Sequence, residues 1–187
     1  MMDTSDTDAT VNISNSTFYL NYADTGGAIY ANGNSAQDEM FIANSTFVSN
    51  IADSGGALYR AGGVVEVFNS ILTDSPFDEN CGGWILDESH NIDSGDSCGF
   101  DPANGSMINT NPLVGPLQNY GGATPTHALL EGSPAIDTAD TVYCLSTDQR
   151  GVPRPQDGDG DGTAFCDIGS FEYIIFSSFV YLPITLR

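Results

Sequence analysis

The run Asp157-Gly158-Asp159-Gly160-Asp161-Gly162 is the stretch of this chain best suited to chemistry. Carboxylates at alternate positions, separated by glycines, can turn inward around one hard cation. The spacing matches positions 1, 3, 5 and the glycine at 6 of an EF-hand-type loop. Position 12, where a bidentate glutamate belongs, is Ile168, and Asp167 lies one place early. Asp157, Asp159, Asp161 and Asp167 are therefore the candidate ligands and Ca2+ the expected ion. The competing reading is a flexible acidic turn.

Four cysteines carry a second chemistry. Cys81 with Cys98 would clip neighbouring segments together, leaving Cys144 to pair with Cys166 across an arginine-containing loop. Four cysteines allow three pairings, and the sequence does not choose among them. There is no CxxC, and His90 and His127 lie near no cysteine pair, which argues against a structural zinc. Disulfides belong to an oxidising compartment, so a secreted or surface location is expected. The first ten residues contain no apolar stretch suited to a signal peptide, which suggests a mature fragment or part of a longer exported protein.

Catalytic constellations are weaker. Glycoside hydrolysis needs two carboxylates about 5 to 10 Å apart on one face. Glu66, Asp87, Glu88 and Asp93 are available, but their spacing singles out no pair. A lyase needs a cationic base near calcium, and within the repeats only Arg60 is cationic. Arg150 and Arg154 are half of all the cations and are expected to pair with Asp137, Asp140 or Asp148 as a structural clamp. His127 reads as a hydrogen-bonded structural residue. The expectation is a non-enzymatic protein, with a carbohydrate-active one as the alternative.

Charge narrows the partners. Twenty-five acidic residues face four arginines and no lysine, a net charge of −21. Such a surface repels nucleic-acid phosphates and anionic membranes and attracts divalent cations. A surface polysaccharide remains a candidate partner.

These groups must be held by something, and the first hundred residues show what. Asn15-Ser16-Thr17-Phe18 to Gly26-Gly27-Ala28-Ile29-Tyr30 recurs as Asn44-Ser45-Thr46-Phe47 to Gly55-Gly56-Ala57-Leu58-Tyr59. A degraded third copy runs from Asn69-Ser70-Ile71-Leu72 to Gly82-Gly83. Upstream of each copy lies a short alternating strand: Val11 and Ile13, Met40 and Ile42, Val65 and Val67. A repeat of this length with two or three short strands predicts a parallel β-helix, an all-β solenoid. Asn15, Asn44 and Asn69 suit the corners, where they would stack as an internal amide ladder. The expected layout is a polar segment over 1–10, coils over 11–108, an irregular disulfide-stapled cap over 109–173 and an apolar tail over 174–187.

The cap carries the order NP-L-GPLQNYGG-TPTHALL-GSPAID, then DQRG-PRP and CDIGSFE. With the repeat motifs GGA[IL] (Gly26–Ile29, Gly55–Leu58) and FxxN (Phe18–Asn21, Phe47–Asn50), it resembles the C-terminal region of bacterial exported β-helix proteins. Those carry polymorphic-outer-membrane-protein-like repeats, many within the choice-of-anchor group of surface proteins. The resemblance spans residues 11 to 173. It implies a right-handed parallel β-helix at a bacterial cell surface, an adhesive or structural role, and no established catalytic residues.

The tail is strand-like, and too short and interrupted for a membrane span. Its Phe179-Val180-Tyr181-Leu182 could add as a strand to the unpaired first coil of another copy. Such head-to-tail pairing would build filaments.

Overall fold

The computed structural model describes residues 8–76 and 79–175. Three strands recur per coil. Coil 1 holds β1 (Thr10–Ser14), β2 (Thr17–Tyr19) and β3 (Ile29–Asn32); coil 2 holds β4 (Glu39–Ala43), β5 (Thr46–Val48) and β6 (Leu58–Gly62). Coil 3 holds β7 (Val64–Phe68), β8 (Ile71–Thr73) and β9 (Cys81–Gly82), and a shortened fourth holds β10 (Leu86–Ser89) and β11 (Ile92–Asp93). They stack into three parallel sheets, β1-β4-β7-β10, β2-β5-β8-β11 and β3-β6-β9. The expected all-β parallel β-helix is the fold observed.

Register explains why the alternation works. Ile13, Ile42 and Val67 fall in one inward row, and Phe18, Phe47 and Leu72 in another. The rings of Phe18 and Phe47 stack with centroids 4.6 Å apart, about the spacing of neighbouring strands. The coils shorten along the chain. Equivalent positions Phe18/Phe47, Phe47/Leu72, Leu72/Asp93 and Ile92/Met107 are separated by 29, 25, 21 and 15 residues. The solenoid therefore tapers, and a fifth rung is reduced to the single bridge at Met107.

The glycine pairs are required at one corner. Gly26 and Gly55 take φ of 64° and 63°. Gly27 has no room for a side chain, since a Cβ there would meet the Gly56 carbonyl of the next coil.

The corner asparagines correct the sequence expectation. Asn15, Asn44 and Asn69 do take the left-handed conformation, with φ of 46°, 47° and 44°. They form no internal ladder. The ladder is built one residue later: Ser16 N–H donates to Ser45 Oγ, Ser45 N–H to Ser70 Oγ, Ser70 N–H to Asn91 Oδ1 and Asn91 N–H to Ser106 Oγ. The asparagines face the other way and hold the cap. Asn69 Nδ2 donates to the Asp140 carbonyl, Asn44 Nδ2 to Tyr143 and Asn15 Nδ2 to Thr147. Residues 140–147 thus climb back past coils 3, 2 and 1. A left-handed residue at a convex corner aims its side chain away from the coil interior.

The cap is a side cover. Its antiparallel hairpin, β12 (Val114–Gln118) with β13 (Thr126–Leu129), and the strip Asp167–Glu172 pack on the outer face of β2-β5-β8-β11. Ile71 and Ile92 face outward there and join Ala128, Leu129, Ala135 and Ile168 in a second apolar cluster. That sheet is buried on both faces, as parallel sheets usually are. Gly169 sits so close that a Cβ would meet Ile71 Cδ1 and Thr46 Oγ1, both at 2.8 Å. No helix among the described residues is long and apolar enough to cross a membrane.

Candidate metal centre

The acidic loop is organised by a residue outside it. Asp137 lies in the Gly132-Ser133-Pro134-Ala135-Ile136-Asp137 turn with φ 54°. Its Oδ2 accepts from the N–H groups of Gly158 at 2.8 Å and Asp159 at 2.7 Å, and its Oδ1 accepts from Phe165 N–H at 3.1 Å. The loop is therefore folded around this carboxylate. Asp157 closes it from inside, Oδ1 accepting from Gly160 N–H and Oδ2 from Gly162 N–H. Gly160 and Gly162 both take positive φ, at 79° and 93°, so glycine at these places is a backbone requirement.

One carboxylate oxygen each from Asp137, Asp157 and Asp159 lies within 4.8 Å of the others. Three carboxylates this close repel one another unless a cation intervenes, and oxygen-only donors suit a hard divalent ion. Two of the four sequence candidates, Asp157 and Asp159, thus belong to the cluster. Asp161 is outside the three-residue group and accepts instead from Thr163 N–H at 2.7 Å.

Asp167 lies elsewhere. It is fully buried, accepting from Asp137 N–H through Oδ1 and from Tyr173 N–H through Oδ2. Burial, then the neighbouring Glu172 charge, pushes its carboxyl up to about 8. With both oxygens engaged by backbone N–H groups, Asp167 lies outside the acidic cluster. The third member of the cluster is instead Asp137, some twenty residues upstream of the loop. In the sequence Asp137 is legible only as a candidate arginine partner, because the turn that brings it to the loop depends on tertiary packing.

Behind this cluster lies a buried ionic network. Arg154 is paired with Glu172, Nε to Oε2 at 3.4 Å, both side chains closed to solvent. Its Nη1 donates to Asn44 Oδ1 and the Asp167 carbonyl, and its Nη2 to the Gly169 carbonyl. Glu172 accepts from the N–H groups of Gln156 and Asp167. Burial raises Glu172 and lowers Arg154 from their ordinary values, each opposed by the other's charge. Arg150 binds Asp148 at 2.7 Å and lies over the Phe171 ring, 3.5 Å from its centroid. Asp148 was an expected partner; Glu172 was not among the candidates, and Asp137 and Asp140 pair with neither arginine among the described ion pairs. Both expected disulfides are present, Cys81–Cys98 and Cys144–Cys166.

The other sequence candidates separate cleanly. Asp93 is buried, accepting from Asn80, Gly95 and Cys98. Asp87 accepts from Asn91, Ser106 and Asp101. Both hold local backbone and corners. Glu66 stands on the outer face of β7, and burial, then Glu88 and Glu39, raise its carboxyl. Phe179, Val180, Tyr181 and Leu182 lie outside the described residues. The chain matches no protein-family model, no curated protein and no solved structure.

Proposed function

We propose that this chain is a structural or adhesive β-helix of the extracellular space or bacterial cell surface, its cap braced by calcium at Asp137, Asp157 and Asp159. The observation that carries the reading is the wide end of the taper. Among the described residues β1, β2 and β3 are each paired on one side only. Around them Val11, Leu20, Tyr22 and Tyr30 are all exposed, Tyr22 at 75 %. Apolar side chains beside open backbone donors and acceptors make a surface for strand addition. Two disulfides fit an oxidising compartment.

Assembly is tested by sedimentation velocity across a concentration range, with and without residues 174–187. Concentration-dependent association that disappears on truncation supports strand addition by the tail. A monomer at every concentration overturns it. Calcium is tested by melting metal-free protein with and without the ion. At a hundredfold excess over Kd, binding contributes about 2.7 kcal/mol, and Asp137→Asn abolishes that gain. Identical melting curves remove calcium from the reading.

One observation favours a second reading, a carbohydrate-active β-helix. Glu66, raised and flanked by Glu39 and Glu88 on the solvent face of one sheet, has the character of a proton donor. Release of reducing ends from neutral or acidic polysaccharides, lost in Glu66→Gln, would establish it.

A further inference from the structure

A shallow groove of about 380 Å³ runs between β12 and the corner that follows β5 and β8. Tyr19, Ser49, Asp74, Gly115, Leu117 and His127 line it. His127 is 3 % exposed, and its Nδ1 lies 2.7 Å from the Gly115 carbonyl. A carbonyl can only accept, so Nδ1 carries the proton and Nε2 is left as a bare acceptor. That Nε2 is buried and has no partner among the described residues. Burial also holds the imidazole below its ordinary value, which keeps the ring neutral and the lone pair free near pH 7.

Of the other side chains lining the groove only the Tyr19 and Ser49 hydroxyls can donate, and neither reaches Nε2. Asp74 is exposed, is close enough for its charge to act on the imidazole, and has no ion-pair partner among the described residues. Tyr19 stands edge-on to the imidazole, centroids 5.0 Å apart. A bare imidazole nitrogen, a free carboxylate and an aromatic ring together ask for a ligand that is positively charged and rich in N–H.

We infer that this groove binds a primary ammonium group. One N–H donates to His127 Nε2 and another to Asp74, while the Tyr19 ring contributes a cation–π contact. Tyr19 is partly exposed and is the side chain that turns aside to admit the ligand. The net charge of −21 draws cations to the surface, and the chain has no lysine of its own to fill the groove. The ammonium therefore comes from outside, as a lysine side chain of a partner protein or as a free polyamine. Binding weakens in acid, because a protonated imidazole has lost its acceptor and repels the ligand. Asp74, Tyr19 and Ser49 are the charged or polar side chains that line this groove with His127, and only Asp74 adds a charge.

The experiment follows the histidine ring nitrogens by 15N NMR in the full chain near pH 7.5. The probes are n-butylammonium, Nα-acetyl-lysine N-methylamide, spermidine and tetramethylammonium, the last having the charge without an N–H. The expected result is a saturable shift of His127 Nε2 with n-butylammonium and none with tetramethylammonium. Asp74→Asn should weaken binding about tenfold or more. Position 74 has φ 59°, a conformation asparagine favours, so this variant keeps the fold. A response to the lysine amide but not to spermidine assigns a protein partner, and the converse a free polyamine. No saturable shift with any probe, an equal response to tetramethylammonium, or undiminished binding by Asp74→Asn overturns the inference.

Discussion

The coils and the cap are stabilised by opposite means. In the coils each residue repeats the work of its equivalent one turn away, as in the Phe18–Phe47 stack and the Ser16-Ser45-Ser70 ladder. Most of these contacts recur from coil to coil, so a worn third copy still folds onto the second. In the cap almost nothing repeats. Arg154 alone joins Asn44 of coil 2 to Asp167, Gly169 and Glu172. Periodic structure tolerates the loss of single contacts, whereas a structure of singular contacts concentrates its stability in a few residues.

The sharpest way to break this comparison is Arg154→Met. Removing one partner of a buried ion pair costs about 3–5 kcal/mol. Glu172 would be left buried without its cation, held only by the N–H groups of Gln156 and Asp167. Hydrogen exchange should show amides of residues 109–175 losing protection while those of β4, β5, β7 and β8 keep theirs. An equal rise in both regions would show that they unfold as one unit.

Next in size is the cap disulfide. Replacing Cys144 and Cys166 by serine opens a bridge with a sequence separation of 22 and should cost about 3 kcal/mol. Denaturant unfolding should then resolve into two transitions, the cap first.

The asparagine latch gives a graded test. Glycine at these positions keeps the left-handed backbone and removes only the amide. Asn44 is fully buried and bonded through both amide atoms, so Asn44→Gly should cost about 2–3 kcal/mol. Asn15 is half-buried, makes one side-chain bond and has no partner for its Oδ1 among the described residues, so Asn15→Gly should cost about 1 kcal/mol or less. Equal costs would mean that the latch contributes nothing beyond the corner itself.

The smallest effect is a pH dependence at the junction of the two regions. His127 has a folded value below its ordinary 6.5, so the unfolded chain takes up the proton first as pH falls. Its contribution is complete above about pH 6.5 and is lost as pH falls through the folded value. His127→Gln should flatten the stability curve over that interval, as read from urea midpoints.

The coils were legible in the sequence because their determinants are local and repeated: alternating apolar residues, a left-handed asparagine, a glycine pair. Which way Asn15, Asn44 and Asn69 point was not legible. The corner conformation follows from residue type, but the acceptor is chosen by a segment about a hundred residues later. The acidic cluster divides in the same way. Asp157 and Asp159 announce themselves by spacing, while Asp137 joins them through tertiary packing and Asp167 lies buried outside the group.

The placement of the arginines has a consequence for digestion. Trypsin-like enzymes cut after lysine or arginine, and this chain offers only Arg60, Arg150, Arg154 and the terminal Arg187. Arg154 is buried and precedes proline, Arg150 is held by Asp148 and Glu172, and Arg60 is bonded to the Gly63 carbonyl within β6 and its turn. A folded molecule therefore presents such an enzyme with very few bonds. Cleavage after Arg150 requires the cap to lift, so its rate counts the moments when the cap is off.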